Sequence, residues 1–437
     1  MEKAFMKIPA SCFLGLVISL SAAGVAAQTS DAQPTPASST QVQQLQGEID
    51  ELRTELAALK QGSATAPAAA PAPTSASNLV TPASAVAPAH TTLSSLLGPT
   101  TLSGFVDMYY GVNFNHPANL TSGLRSFDGG ANQFDLNMVE LVIDKASDAA
   151  SRTGYHVALG YGQAMNAVNA SDPGGLGFDQ YLKEAYFSYL APVGRGLQVD
   201  FGKFVTPAGA EVIETKDDWN YSRGILFSYA IPYYHFGLRA KYTFNGKYSL
   251  TCFVVNGWND VVDNNSGKTY GATFGWNPTK TVAVAQTFFW GPETAGSNAT
   301  PRQLYDTVVT FTPASKLSLM ANYDYGRGDR MTGIANPVWW SGIAGYVKYA
   351  VNSHYAVATR YEYYNDKYGF TTGAAQHING ITGTLERTIA SRIIARLEFR
   401  RDQSTQPVFV RGNGLTDSQS TLSAGLVYTF DTKEGSN

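Results

Sequence analysis

Cysteine is almost missing from this chain. Among 437 residues only Cys12 and Cys252 occur, and Cys12 lies in an N-terminal leader, so neither a disulfide framework nor a Cys/His metal motif is available. Charge is scarce too: 15% of residues are charged, against about a quarter in ordinary soluble domains. The 31 Lys+Arg nearly balance 34 Asp+Glu, and a net charge of −3 leaves no basic footprint for nucleic acid. Beyond the N-terminus no run of about 18 apolar residues occurs, which excludes a helical membrane protein. Aromatics are absent between residues 14 and 104, yet apart from Phe5 and Phe13 all 25 Tyr, 22 Phe and 6 Trp follow. The chain therefore reads as an aromatic-rich body behind an aromatic-free arm.

The leader has the three parts of a secretory signal. Lys3 and Lys7 supply positive charge, Cys12 to Val25 is apolar, and Val25-Ala26-Ala27 is a small-residue cleavage site, giving a signal peptide over 1–27. Residues 28–60 form an arm. Its first part, 28–41, is polar and aperiodic; then Val42, Leu45, Ile49, Leu52, Leu56 and Leu59 follow spacings of 3, 4, 3, 4 and 3. That is an a/d seam of about three heptads, the pattern of a self-associating coiled coil. Gly47 weakens it, and a seam this short is marginal alone, so its association is expected to depend on an oligomeric body. Residues 61–100 are an Ala/Pro-rich linker.

From 101 to 430 the pattern is alternation of period two, in segments of about ten residues, and we count sixteen strands. The intervals alternate as well. Phe244–Lys247, Asn277–Lys280 and Thr312–Ser315 are short; 114–132, 165–178, 206–233, 257–267, 291–302, 326–338 and 402–418 are long. A closed, antiparallel up-and-down barrel across an outer membrane produces this asymmetry, with short periplasmic turns and long outer loops. The faces support it. In 390–401, Ile393, Ala395, Leu397 and Phe399 oppose Arg392, Arg396, Glu398 and Arg400; in 316–325, Leu317, Leu319, Ala321, Tyr323 and Tyr325 oppose Ser318, Asn322 and Asp324. Apolar faces ending in aromatics belong toward lipid and charged ones toward a wide, watery lumen. Strand 133–145 does not keep one phase, and Glu140 and Asp144 place a bulge near its middle. The last strand ends in Leu426, Tyr428 and Phe430, an assembly-signal pattern, followed by a polar extension, 431–437. The fold expected is all-β: a transmembrane barrel of about sixteen strands behind a signal peptide and a short coiled-coil arm.

The interval 206–233 is the longest inside the body and carries Glu211, Glu214, Asp217 and Asp218 together with Trp219, Tyr221 and Arg223. Its aromatic content argues that it packs. Folded into the lumen, its carboxylates would face the wall arginines Arg360, Arg392, Arg396 and Arg400 across a pore, making a constriction with a transverse field. Glu211 and Glu214, three apart, are a weak cation motif. His156, His235, His354 and His377 sit in no nucleophile setting. No catalysis, cofactor or metal is expected.

Several stretches resemble the OmpL-like β-barrel porin family of Gram-negative outer membranes: Gly202-Lys203-Phe204, Pro207 to Glu214, Trp219 to Arg223, Ile231 to Arg239, Gly104 to Tyr110, and Val255 to Asn259. The resemblance covers 101–430. It implies an outer-membrane diffusion channel for small hydrophilic solutes, surrounded by lipid and commonly a homotrimer, with the arm in the periplasm. The competing expectation is a plugged or narrow structural or receptor barrel, tethering the membrane through its arm.

Overall fold

The structure, a computed structural model, describes residues 98–432 apart from 329, 330, 332, 333, 335 and 336. The signal peptide, the coiled-coil seam and most of the linker lie outside the described residues. Sixteen strands close into one antiparallel barrel: β1 (Thr101–Asn113), β2 (Gln133–Lys145), β3 (Thr153–Tyr161), β4 (Leu182–Ala191), β5 (Leu197–Val205), β6 (Tyr234–Thr243), β7 (Tyr248–Val255), β8 (Thr269–Trp276), β9 (Val282–Thr294), β10 (Ser297–Ala314), β11 (Leu317–Gly328), β12 (Val338–Ala350), β13 (Tyr355–Asp366), β14 (Gln376–Ile389), β15 (Ile393–Ser404) and β18 (Ser418–Asp431). Each pairs with its neighbours in sequence, and β1 closes the ring on β18 through Gly104↔Phe430 to Asn113↔Thr421. Between β15 and β18 a two-stranded hairpin, β16 (Phe409–Arg411) and β17 (Gly414–Thr416), stands apart from the barrel.

Register carries one phase around the ring. Asp324 pairs with Asp306 and Gly342, Glu362 with Ala344 and Gly380, and Arg400 with Thr382 and Thr421. These positions face inward, so their neighbours face outward. Leu397, Phe399, Leu426 and Tyr428 are accordingly exposed on the outer wall, as a lipid-facing band requires. The expected bulge in β2 exists, but at Asn137: the ladder steps from Met138 opposite Asp107 to Leu136 opposite Met108. Glu140 and Asp144 are in phase with each other.

Short turns gather at one end of the barrel and long loops at the other, except that the interval 291–302, expected as a long loop, is mostly strand: β9 and β10 run through it and Thr294 pairs with Ser297. Helix α1 (Gln163–Asn169) and α2 (Leu176–Asp179) lie between β3 and β4; a 3₁₀ turn (Thr215–Asp217) and α3 (Ile225–Tyr229) lie between β5 and β6. No helix among the described residues is long and apolar enough to cross a membrane. The buried apolar cluster sits within the barrel and gathers inward Phe204, Phe253, Phe289, Trp340 and Tyr364 together with Ile225, Leu226 and Phe227 of α3; Leu226 and Tyr364 both lie against Gly342.

Candidate functional site

The segment 206–233 leaves β5 and returns to β6 through a closed neck, where Thr206 N–H donates to the Tyr233 carbonyl at 3.0 Å. Its apolar residues are its anchors. Leu226 packs where a Cβ on Gly342 would lie 2.8 Å from its Cδ1. Tyr221 lies flat on Gly425, where a Cβ would stand 2.3 Å from the ring. Only glycine on the wall lets the segment approach so closely. Trp219 meets Tyr346 edge-on at 6.4 Å.

The wall then grips the segment's backbone. Arg360 donates to Glu211 Oε1 at 2.5 Å and to the Ser222 carbonyl at 2.6 Å. Arg400 donates to the Arg223 carbonyl at 2.6 Å, and Arg396 to the Thr215 and Asp218 carbonyls at 2.5 and 2.6 Å. Wall carboxylates take the amides: Glu398 accepts from Tyr221 and Ser222 at 2.6 and 3.0 Å, and Glu362 from Ile225 at 2.6 Å. From β1, Asp107 accepts the Tyr221 hydroxyl at 2.8 Å and the Thr215 hydroxyl at 2.6 Å. Charge-assisted bonds to backbone are the strong kind, and they hold the segment against the wall whatever its exposed side chains are.

Arg360, Arg396 and Arg400 are brought together with Glu211 and Asp218; all five are buried. Burial pushes the Glu211 carboxyl above its ordinary range, opposed by Arg360. The same holds more strongly for Asp218, opposed by Arg223 at 3.3 Å. The remaining expected residues are elsewhere. Glu214 pairs with Lys183 of β4 and Asp217 with Lys216, while Arg392 precedes β15 at a short turn and its carbonyl accepts from Thr429. The sequence reading set the acidic segment across open water from the arginines; in the structure they touch, with no aqueous gap between them. It also missed Asp107 and Lys183. The phase of β1, with Phe105 and Tyr109 inward, was the available signal for Asp107; Lys183 sits beside the β3–β4 register shift, where counting fails.

Exposure divides the lumen by height. Each of the sixteen barrel strands places at least one inward side chain no more than 3% exposed, among them Asp107, His235, Phe289, Asp324 and Arg360. Nearer the short turns, inward Asp144, His156, Arg239, Thr251, Thr310 and Lys348 are half-buried, and Lys241 is exposed. A polar cavity of about 370 Å³ opens there, lined by Glu140, His156, Lys183, Glu184, Glu214 and Lys216 among others.

The sequence profile described as putative beta-barrel porin-2, OmpL-like, matches residues 99–430, and the chain belongs to that family. Among solved structures, an anion-selective porin from Comamonas acidovorans aligns with a TM-score of 0.51 at 12% identity, covering 76% of this chain and 99% of the other. The trimer form of OmpT, an outer-membrane protein of Vibrio cholerae, aligns with the same score, identity and coverage. These likenesses show the barrel fold. No curated protein matches the chain in sequence. The family and fold place the protein in the outer membrane as a β-barrel porin.

Proposed function

We propose that this OmpL-like porin is a passive channel for small hydrophilic solutes whose passage is set by residues 206–233. The carrying observation is the dry belt of inward side chains on all sixteen strands, above a wetted vestibule. It supports an occluding plug in place of a one-sided constriction, so conduction requires the segment to shift. The short-turn end is the periplasmic end, as in other barrels of even strand number. A trimer is the assembly we favour: the outer wall over β1, β2 and β18 carries an apolar groove lined by Met108, Tyr110, Phe134, Leu136 and Leu426, with Phe134 84% exposed. Liposome swelling with sugars and amino acids of graded size tests the reading: a size cut-off supports it, and no permeation of any solute refutes it.

The dry belt also favours a second reading, a permanently closed barrel that serves as an anchor for its arm. Planar-bilayer recording separates the two, since only the first gives unitary current steps.

A further inference from the structure

Asp306 on β10 and Asp324 on β11 are direct cross-strand partners facing the lumen, and both are fully buried. Asp306 Oδ1 accepts from Asn322 Nδ2 at 2.8 Å and from the Gly209 amide at 3.1 Å. Its other oxygen, and both oxygens of Asp324, have no hydrogen-bond partner. Among the described residues no lysine, arginine or histidine pairs with either carboxyl. Thr287 of β9, Gly342 of β12 and Tyr364 of β13 are their register neighbours; of the two β13 carboxylates flanking Tyr364, Glu362 is taken up by Ile225, Arg360 and Arg400, and Asp366 by the Thr371 and Thr372 amides. One proton shared between the pair joins the two carboxyls, and the last Asp324 oxygen then has near it, among the described residues, only the Asn322 amide, which already donates to Asp306. A buried polar atom left without a donor of its own costs about 1–3 kcal/mol, and more when charged. Water would satisfy it.

Water stands close by. Two residues nearer the periplasm, about 7 Å along the strand, Val308 is partly exposed while its cross-strand partner Asn322 is buried; the next inward pair, Thr310 and Met320, and Ser318 beyond it are partly exposed. Between this wall and the carboxyl pair stand the buried Asn322 amide and the plug backbone at Gly209, both donating to Asp306. Gly209 has φ +94, and a Cβ on it would lie 2.6 Å from Ile231 Cδ1, so the neck fits tightly and is held to the pair by a single amide.

We propose that the Asp306–Asp324 pair is the release point of the plug. Water climbing the β9–β11 wall hydrates the carboxyls, displaces the Gly209 amide, and opens the passage along that wall, while the arginine-gripped part of the segment stays in place. The wall below the pair, with Ala285, Val308, Thr310 and Ser318, bears no charge, so the opened passage suits uncharged polar solutes. This rests on the porin reading above.

The test uses the full chain in liposomes and planar bilayers. In a Cys252→Ser background, Asp324→Cys should react with a small charged thiol reagent, more slowly than Thr310→Cys on the open wall. Asp324→Asn supplies an amide donor to Asp306 Oδ2; it should open less often than wild type and unfold at a higher temperature. Asp306→Asn, which keeps an acceptor for Gly209, should behave likewise if Asp324→Asn fails to assemble. An Asp324→Cys that stays unlabelled while the channel conducts, or an Asp324→Asn that opens as wild type does, overturns the release point and leaves the porin reading intact. A wild type silent in bilayers whose Asp324→Cys still labels refutes the porin reading and keeps the release point.

Discussion

Two arcs of the lumenal wall share one barrel and one alternation, yet hold the plug in opposite ways. The arc from β13 through β15 and β18 to β1 carries Arg360, Glu362, Arg396, Glu398, Arg400 and Asp107, every one buried and bonded to the segment 206–233. The arc from β7 to β11 carries small and hydroxylic residues on its lower wall, partly exposed, and meets the segment at Gly209. Alternation decides which side chains face inward. It does not decide which of those are wet; that depends on where a long loop comes to rest.

The comparison can be broken hardest on the charged arc. Arg360→Leu leaves Glu211 buried without its counter-charge and Glu362 with Arg400 alone, and removing one partner of a buried pair costs about 3–5 kcal/mol. The expected result is a large fall in denaturation midpoint with a rise in conductance; an unchanged midpoint would mean the grip is not structural. Next comes the outer wall, where no grip exists. Leu397, 49% exposed toward lipid, changed to Arg should cost about 2–4 kcal/mol near the midplane, read as a loss of folded barrel in heat-modifiability gels, without any shift in ion preference among the molecules that do fold. A smaller effect is expected for Tyr221→Phe. It deletes the hydroxyl that Asp107 accepts at 2.8 Å, a bond to a charged group worth about 1.5–3 kcal/mol, and should raise open probability more than it lowers stability. The smallest belongs to the neutral arc: Thr310→Val should leave stability within about 0.5 kcal/mol, as for surface changes, and alter only single-channel conductance.

Much of the barrel was legible in the sequence. The phase of 390–401 put Arg396, Glu398 and Arg400 inward and Leu397 outward, and the ladder from β14 to β18 agrees. Loop lengths distinguished the two ends except at 291–302, read as long, where β9 and β10 extend until Thr294 pairs with Ser297. The interval 402–418 was read as plain loop, but β16 and β17 pair within it; runs of three residues are too short to show a period. The bulge expected near the middle of 133–145 is there, at Asn137; its exact residue shows only through the strand opposite.

The site was legible in membership and not in geometry. Glu211 and Arg360 are 149 positions apart, and they meet at 2.5 Å. The reading placed them on opposite sides of a ring because β5 and β6 stand far from β13. It used the strands' separation and left out the loop's own reach, roughly 3.3–3.6 Å per extended residue, which is ample to cross the lumen and lie on the far wall. Arg392 shares the phase of Arg396 and Arg400 but lies at a short turn beyond that contact. Asp306 and Asp324 illustrate the same limit: each is an unremarkable inward aspartate alone, and their pairing follows only from the β10–β11 register.

The central claim is that residues 206–233 set the passage. Single-channel recording in a planar bilayer tests it directly, comparing wild type with a variant in which 208–231 is replaced by a short Gly/Ser linker. The account predicts small, intermittent openings for wild type and a large, steady conductance for the variant. Equal conductance from the two would contradict it and put the barrier to solutes somewhere other than this segment.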